Sequence, residues 1–252
     1  MIPVQAESGK REAMSLLGAL ISGVAHEVRN PLFGISSTLD AFEARFGFRE
    51  EYEPFISVLR GEVERLNLLM KDLLDYGRPL SHELAEGSLP AAVARAVQSC
   101  HLLAARSGVT IEDRTPADLP PIHLDSKRLP QAFLNLLENA IQHSPPGACV
   151  AIEGEVFEQE GGAWIALRVL DEGPGFRDED LPRLFEPFFT RRRGGTGLGL
   201  SIVQTIVEAH GGSVIASNRE TEGAVVETRF PAAGTIWRGK GEWHGEEQDF
   251  ID

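Results

Sequence analysis

The stretch Gly194-Gly195-Thr196-Gly197-Leu198-Gly199-Leu200-Ser201-Ile202-Val203 runs from a glycine-rich loop into an apolar segment with helical spacing. Glycines just ahead of a helix free backbone N–H groups to cradle phosphate at the positive helix end. Arg191-Arg192-Arg193 precede the loop and form the one dense basic patch of an acidic chain. Neither common nucleotide fingerprint is present: there is no GxxxxGK followed by Ser or Thr, and the GxG lies late, away from any opening βαβ unit. A basic, solvated loop would share the charge, but the glycines favour phosphate.

Upstream, Trp164–Leu170 reads as a strand that delivers Asp171-Glu172-Gly173-Pro174-Gly175-Phe176. A carboxylate there can accept a hydrogen bond from an adenine amino group, and the glycines let a flat ring approach the backbone. Taken alone, these are also ordinary turn residues. Further upstream, Asp125 can cap a helix with apolar positions at Leu129, Ala132, Phe133, Leu136, Leu137, Ala140 and Ile141. Its other face holds Asn135, Asn139 and Gln142, with His143 close by. Helix interiors disfavour Asn. Amide oxygens suit Mg²⁺, a hard cation that keeps waters beside substrate phosphates, although a polar solvated face is the plainer alternative.

Around these segments the texture is short and mixed. Helical patterning covers about Leu89–Ser107, Asp125–His143 and Leu198–Ala209. Strand-like runs lie at Val109–Glu112, Val150–Glu155, Trp164–Leu170, Ser213–Ser217 and Ala224–Phe230. That order predicts an α/β sandwich with one layer of each. The polar stretch from Trp237 to Asp252 reads as loose.

The first third differs. From Lys10 to Tyr76 the chain reads as helix, with a near-heptad seam through Leu17, Ile21, Val24, Val28, Pro31, Ile35, Leu39, Phe42 and Phe46. Phe46-Gly47-Phe48-Arg49-Glu50-Glu51 breaks it, and a second seam runs through Tyr52, Phe55, Leu59, Val63, Leu66, Leu69 or Met70, Leu73 and Tyr76 to a stop at Gly77 and Pro79. This predicts an antiparallel helical hairpin. One hairpin buries both stripes poorly, so a four-helix bundle made by a homodimer is expected.

On the first helix stands Ala25-His26-Glu27-Val28-Arg29-Asn30-Pro31. At about 100° per residue His26 lies roughly 160° from the seam residues Val24 and Val28, on the solvent side, with Asn30 about 40° round on the same face. Glu27 can take a proton from one imidazole nitrogen and leave the other as a nucleophile. Pro31 removes the amide that would bond the Glu27 carbonyl and bends the helix. A lone solvated surface histidine is the bland alternative.

The balance of 24 Lys plus Arg against 38 Asp plus Glu gives a net charge of -14 in 252 residues. Such a surface repels nucleic acid and anionic lipid. Cys100 and Cys149 are far apart and outside any CxxC, which suits free thiols in a reducing compartment. No apolar run approaches the ~20 residues that cross a bilayer, and a cytoplasmic chain is expected.

Taken in order, these segments resemble the sensor histidine kinases of two-component signalling. Ala25–Pro31 resembles the phosphoacceptor box, Asn135–His143 the N box and Asp171–Gly175 the G1 box. Leu184–Thr190 resembles the F box and Gly195–Leu200 the G2 box; the likeness spans about Leu16 to Phe230. The resemblance implies a Bergerat (GHKL) ATP-binding sandwich after the hairpin, and with it domains are expected at 10–78 and 79–233; the acidic composition marks 234–252 as a loose tail.

It implies that His26 is phosphorylated, that Glu27 assists as base, and that Asn30 positions water for dephosphorylating the partner, a response regulator receiver domain. ATP and Mg²⁺ are the implied cofactors. Asn139 with Asn135 would handle the metal, Asp171 with Gly173 and Gly175 the adenine, and Gln142 and His143 the N-box end. Phe185, Thr190, Arg193, Gly195, Thr196, Gly197, Leu198, Gly199 and Leu200 would form the lid and phosphate loop. Two positions depart from the pattern: Gln142 stands where many members have Lys, and Gly223-Ala224 where Gly-Thr is usual. About ten polar residues precede the first helix, which suits a fragment or a signal delivered through another chain. An ATPase or protein-serine kinase on the same fold, or a silent docking protein, are the competing expectations.

Overall fold

The computed structural model describes residues 27–47, 49–78, 84–159, 162–192, 194–237 and 243–245. Two compact units emerge: the two long helices with Phe188–Leu198, and the chain from residue 84 to Pro187 together with Gly199 onward.

In the first unit, α1 is described over residues 27–46 and α2 spans Glu53–Gly77. Gly47 turns the chain at φ 69°, and Phe42 packs its ring against both Phe46 and Tyr52 at 4.8 and 5.6 Å between centroids. Arg60 of α2 pairs with Asp40 and Glu43 of α1 at 2.7 and 2.5 Å, which fixes the turn each helix shows the other.

The predicted seams divide into two stripes. Val63, Met70 and Leu39 of the predicted seams are buried, together with Ile56 and Leu32, which the pattern left out. Phe55, Leu59 and Leu66, assigned to the same seam by the pattern, remain 71%, 50% and 40% exposed, and Ile35 and Phe46 are open too. One stripe closes the hairpin and a second is left over. A 3.5-residue period cannot separate stripes that lie one residue apart on the wheel.

The second unit is the two-layer α/β sandwich. Its five-stranded sheet runs β2 (Thr110–Arg114), β4 (Cys149–Gln159), β5 (Gly162–Leu170), β7 (Ala224–Pro231), β6 (Ser213–Asn218) in spatial order. The β2–β4 pair is parallel and the rest are antiparallel. Helices α3 (Leu89–Ser107), α4 (Arg128–His143) and α5 (Gly199–Ala209) form the other layer. Two strands too short for any alternation signal, β1 (Ala85–Gly87) and β3 (Ile122–Leu124), pair with each other.

The stretch expected to be a loose tail contains a strand pair instead: β8 (Thr235–Trp237) lies antiparallel to β9 (Trp243–Gly245). Thr, Ile and Trp are strand formers, and they outweigh the polar composition around them.

All seven apolar positions anticipated on α4 are buried, each large one contributing about 1.5–3 kcal/mol. Asp125 caps this helix as expected: its Oδ1 accepts from the N–H groups of Lys127 and Arg128 at 2.8 and 3.1 Å. The helix proper starts at Arg128. His210, at the end of α5, is buried; its Nδ1 bonds the Ile206 carbonyl at 2.7 Å and its Nε2 accepts from the Asp125 N–H at 2.9 Å. One imidazole thus fastens α5 to the start of α4 in its neutral form. Burial holds its pKa below the ordinary 6.5. Both cysteines are free, and burial pushes the Cys100 thiol up to about 12. Among the described residues no helix is long and apolar enough to cross a membrane.

Candidate nucleotide site and phosphoacceptor segment

Asp171 leaves the end of β5, a central strand, and is buried. Its backbone N–H donates to Ala224 O at 3.0 Å, and its Oδ1 accepts from the N–H groups of Ala224 and Gly173 at 3.0 and 2.9 Å. One carboxylate oxygen is thereby committed to the protein. Oδ2 has no hydrogen bond among the described residues, so it can accept from an external donor. The Asp171 carbonyl takes the Arg219 guanidinium at 2.8 Å.

The glycines around Asp171 serve a purpose the sequence did not disclose. At Gly173 a Cβ would meet the His143 carbonyl oxygen at 2.6 Å, so the loop presses on the end of α4. At Gly223, φ 108°, a Cβ would meet the Asp171 carbonyl oxygen at 1.9 Å. The pair Gly223-Ala224, which departs from the family pattern, therefore holds the carboxylate: Gly223 makes room and Ala224 donates and accepts.

On α4, Asn135 and Asn139 are half-buried. The Asn135 amide nitrogen donates to the Gly199 carbonyl at 3.3 Å, which ties α4 to the first residue of α5 and leaves the Asn135 carbonyl oxygen uncommitted. Asn139 makes no hydrogen bond among the described residues. Gln142 and His143 are exposed at the end of the helix, with Leu200 half-buried on α5. A groove of about 620 Å³ is lined by His143, Glu172, Gly173, Gly175, Asn218 and Gly223, among others; Asn135, Asn139 and Asp171 do not line it.

Phe188–Leu198, the middle of the predicted lid, belongs to the first unit. Thr190 Oγ1 accepts from the Arg192 N–H at 3.1 Å, with Gly195 half-buried beside it and Gly197 half-buried against the Phe188 backbone. Thr196 donates to Asp72 of α2 at 2.5 Å, and Leu198 is fully buried. Burial raises the Asp72 carboxyl above the usual carboxylate range, against the opposing pull of the Thr196 hydrogen bond. Phe185 is half-buried in the second unit. Arg193 and His26 lie outside the described residues. Glu27 and Asn30 are both exposed on α1.

A buried carboxylate with one open oxygen at a strand end, and an amide-bearing helix tied to a glycine-led one, define a GHKL-type ATP-binding module. Residues 124–234 match the family of histidine kinase-, DNA gyrase B-, and HSP90-like ATPases, and residues 16–83 match the His Kinase A (phospho-acceptor) domain. The chain belongs to the sensor histidine kinases.

It is 32% identical to sensor histidine kinase ZraS of Escherichia coli over 90% of its length and 48% of that protein's. It is also 32% identical to adaptive-response sensory kinase SasA of Synechococcus, over 88% of its length and 58% of that protein's. The chain thus spans about half the length of the curated relatives it matches. Full-length ShkA in complex with AMPPNP superposes with a TM-score of 0.67 at 26% identity, covering 85% of this chain and 46% of that one. Histidine kinase ThkA in complex with response regulator protein TrrA gives 0.64 at 26% identity, covering 90% and 65%.

If the open oxygen of Asp171 reads adenine, replacing Asp171 by Asn leaves the oxygen to the two backbone N–H groups and sets an NH₂ against the amino group of the base, donor against donor. ATP affinity should fall about ten- to a hundredfold, as a lost hydrogen bond to a charged group predicts. Nucleotide titration of Asp171→Asn measures this, and an unchanged dissociation constant removes Asp171 from the base contact.

Proposed function

We propose that the chain is the catalytic core of an ATP-dependent protein-histidine kinase that phosphorylates its own His26 and passes the phosphoryl group to an aspartate of a response regulator. The observation that carries this is the union, in one chain, of a hairpin bearing the box Ala25–Pro31 with a module whose buried carboxylate keeps one oxygen open. The ShkA and ThkA structures, each similar to this chain along most of its length, support it: one holds AMPPNP and the other a response regulator.

In this reading Asp171 accepts from the adenine amino group, and the arginines Arg191–Arg193 with the glycine loop meet the phosphates. Asn139, with its uncommitted amide, and Asn135, through its carbonyl oxygen, would hold Mg²⁺, which would supply charge neutralisation at the phosphates. Glu27 draws the proton from one imidazole nitrogen of His26, and the other nitrogen attacks the γ-phosphorus in line as the bond to ADP breaks. Positioning does most of the catalytic work in such transfers. The P–N bond formed is reactive enough to yield the phosphoryl group to a carboxylate.

His26→Gln should abolish label uptake from γ-labelled ATP and leave nucleotide binding intact, while EDTA should stop uptake by the unaltered chain. The label on the unaltered chain should be acid-labile and base-stable; acid-stable label, or label retained by the variant, points to a serine kinase on the same fold.

The open stripe of Phe55, Leu59 and Leu66 supports a homodimer through the hairpin, since a second copy buries what one hairpin leaves out. The double change Phe55→Asp with Leu59→Asp should convert a dimer into a monomer in sedimentation at micromolar concentration. A chain already monomeric before the change ends the bundle proposal.

Asn30, exposed on α1 four residues after His26, supports a second activity, in which its amide orients water for removing phosphate from the partner. Asn30→Ala should slow decay of the phosphorylated regulator about tenfold or more, the scale of a lost positioning contact, with His26 labelling retained. Equal decay rates would remove that role.

A further inference from the structure

The loop 171–176 leaves β5 at Asp171 and is fastened at its far end by a side chain that no nucleotide-binding reading assigns. Asn218, the last residue of β6, accepts from the Phe176 N–H at 2.6 Å through Oδ1 and donates to the Phe176 carbonyl at 2.8 Å through Nδ2. Both main-chain polar groups of one residue are thus held by one amide. Paired antiparallel residues exchange the same two bonds. The amide orientation is fixed by its partners, since an N–H faces the oxygen and a carbonyl faces the nitrogen.

The fit is close. A Cβ at Gly175 would meet Asn218 Oδ1 at 2.7 Å. The next residue, Arg219, holds the Asp171 carbonyl at 2.8 Å, and Glu172 accepts from the Cys149 N–H at 2.9 Å. The loop is therefore tied at Asp171, Glu172 and Phe176, and the Phe176 tie is made wholly by Asn218. Ser, Thr, Asp and Glu cannot replace it: the acids lack the donor, and a hydroxyl lacks the planar fork.

We infer that Asn218 is a positioning residue for nucleotide recognition. It holds the 171–176 loop at the setting in which the open oxygen of Asp171 reaches the adenine amino group. This rests on Asp171 reading adenine. Releasing the far end leaves Asp171 its bond to Ala224 but lets the loop drift, and with it the Gly173 N–H that shares Oδ1, so the open oxygen is no longer held in its aim. The loss then falls on the contact that tells adenine, which offers an amino group, from guanine, which offers a carbonyl at the same position.

The test is titration of ATP and GTP into the unaltered chain, Asn218→Ala, Asn218→Asp and Asp171→Asn, with melting temperature recorded for each. Asn218→Ala should weaken ATP about tenfold, the scale of a lost hydrogen-bond pair, and leave GTP nearly unmoved, so the preference for ATP narrows. Its melting temperature should stay close to that of the unaltered chain, because Asn218 is exposed. Asn218→Asp keeps the shape and one acceptor but sets an oxygen against the Phe176 carbonyl, and should bind ATP no better than the alanine variant.

Equal ATP affinity in Asn218→Ala overturns the proposal. A parallel loss of ATP and GTP with a lowered melting temperature overturns it too, by reducing Asn218 to a folding contact. Asn218→Asp binding ATP like the unaltered chain rules out the two-point hold. If instead Asp171→Asn leaves ATP binding and preference unchanged, the adenine reading itself has failed, which is distinguishable from failure at Asn218 alone.

Discussion

A carboxylate buried in a sheet is costly unless its oxygens are satisfied. Asp171 resolves this by giving one oxygen to two backbone N–H groups and keeping the other open. Everything nearby serves that division. Gly223 surrenders its side chain so that the Asp171 carbonyl can sit against it, Gly173 does so against the end of α4, and Arg219 braces the carbonyl from just beyond β6. The carboxylate is rigid because main chain, which has no rotamers to lose, supplies its partners.

The helical unit follows a different rule. Its stability comes from an apolar stripe within the hairpin; ion pairs such as those of Arg60, at 41% side-chain exposure, add little free energy and mainly set register. What the hairpin leaves uncovered is one stripe of large apolar side chains and a polar face carrying Glu27 and Asn30. The sandwich buries its carboxylate, whereas the hairpin displays its polar side chains.

Much of this was legible because local periodicity and burial coincide on α4, where seven apolar positions and the Asp125 cap all behave as a 3.6-residue pattern requires. Asp171 was legible as a carboxylate at a strand end. What holds it was not, since Gly173 answers to His143 thirty residues earlier and Asp171 to Gly223 and Ala224 far downstream. Contacts between distant segments leave no trace in a local pattern. The second stripe of α2 was hidden for a related reason: Phe55 and Ile56 are neighbours in sequence, and spacing alone cannot say which one faces α1. In the C-terminal segment, polar composition masked the β8–β9 pairing.

The bond between Asp171 and Ala224 joins positions 53 residues apart. A chain emerging from synthesis therefore has its amide-bearing helix long before the carboxylate is seated, since seating waits for β7 to arrive beside β5. Loop closure of this span comes late in assembly. A ligand that needs the seated carboxylate consequently cannot act as an early template for this fold; it can only capture the finished sheet, adding stability by mass action once the last strand has docked.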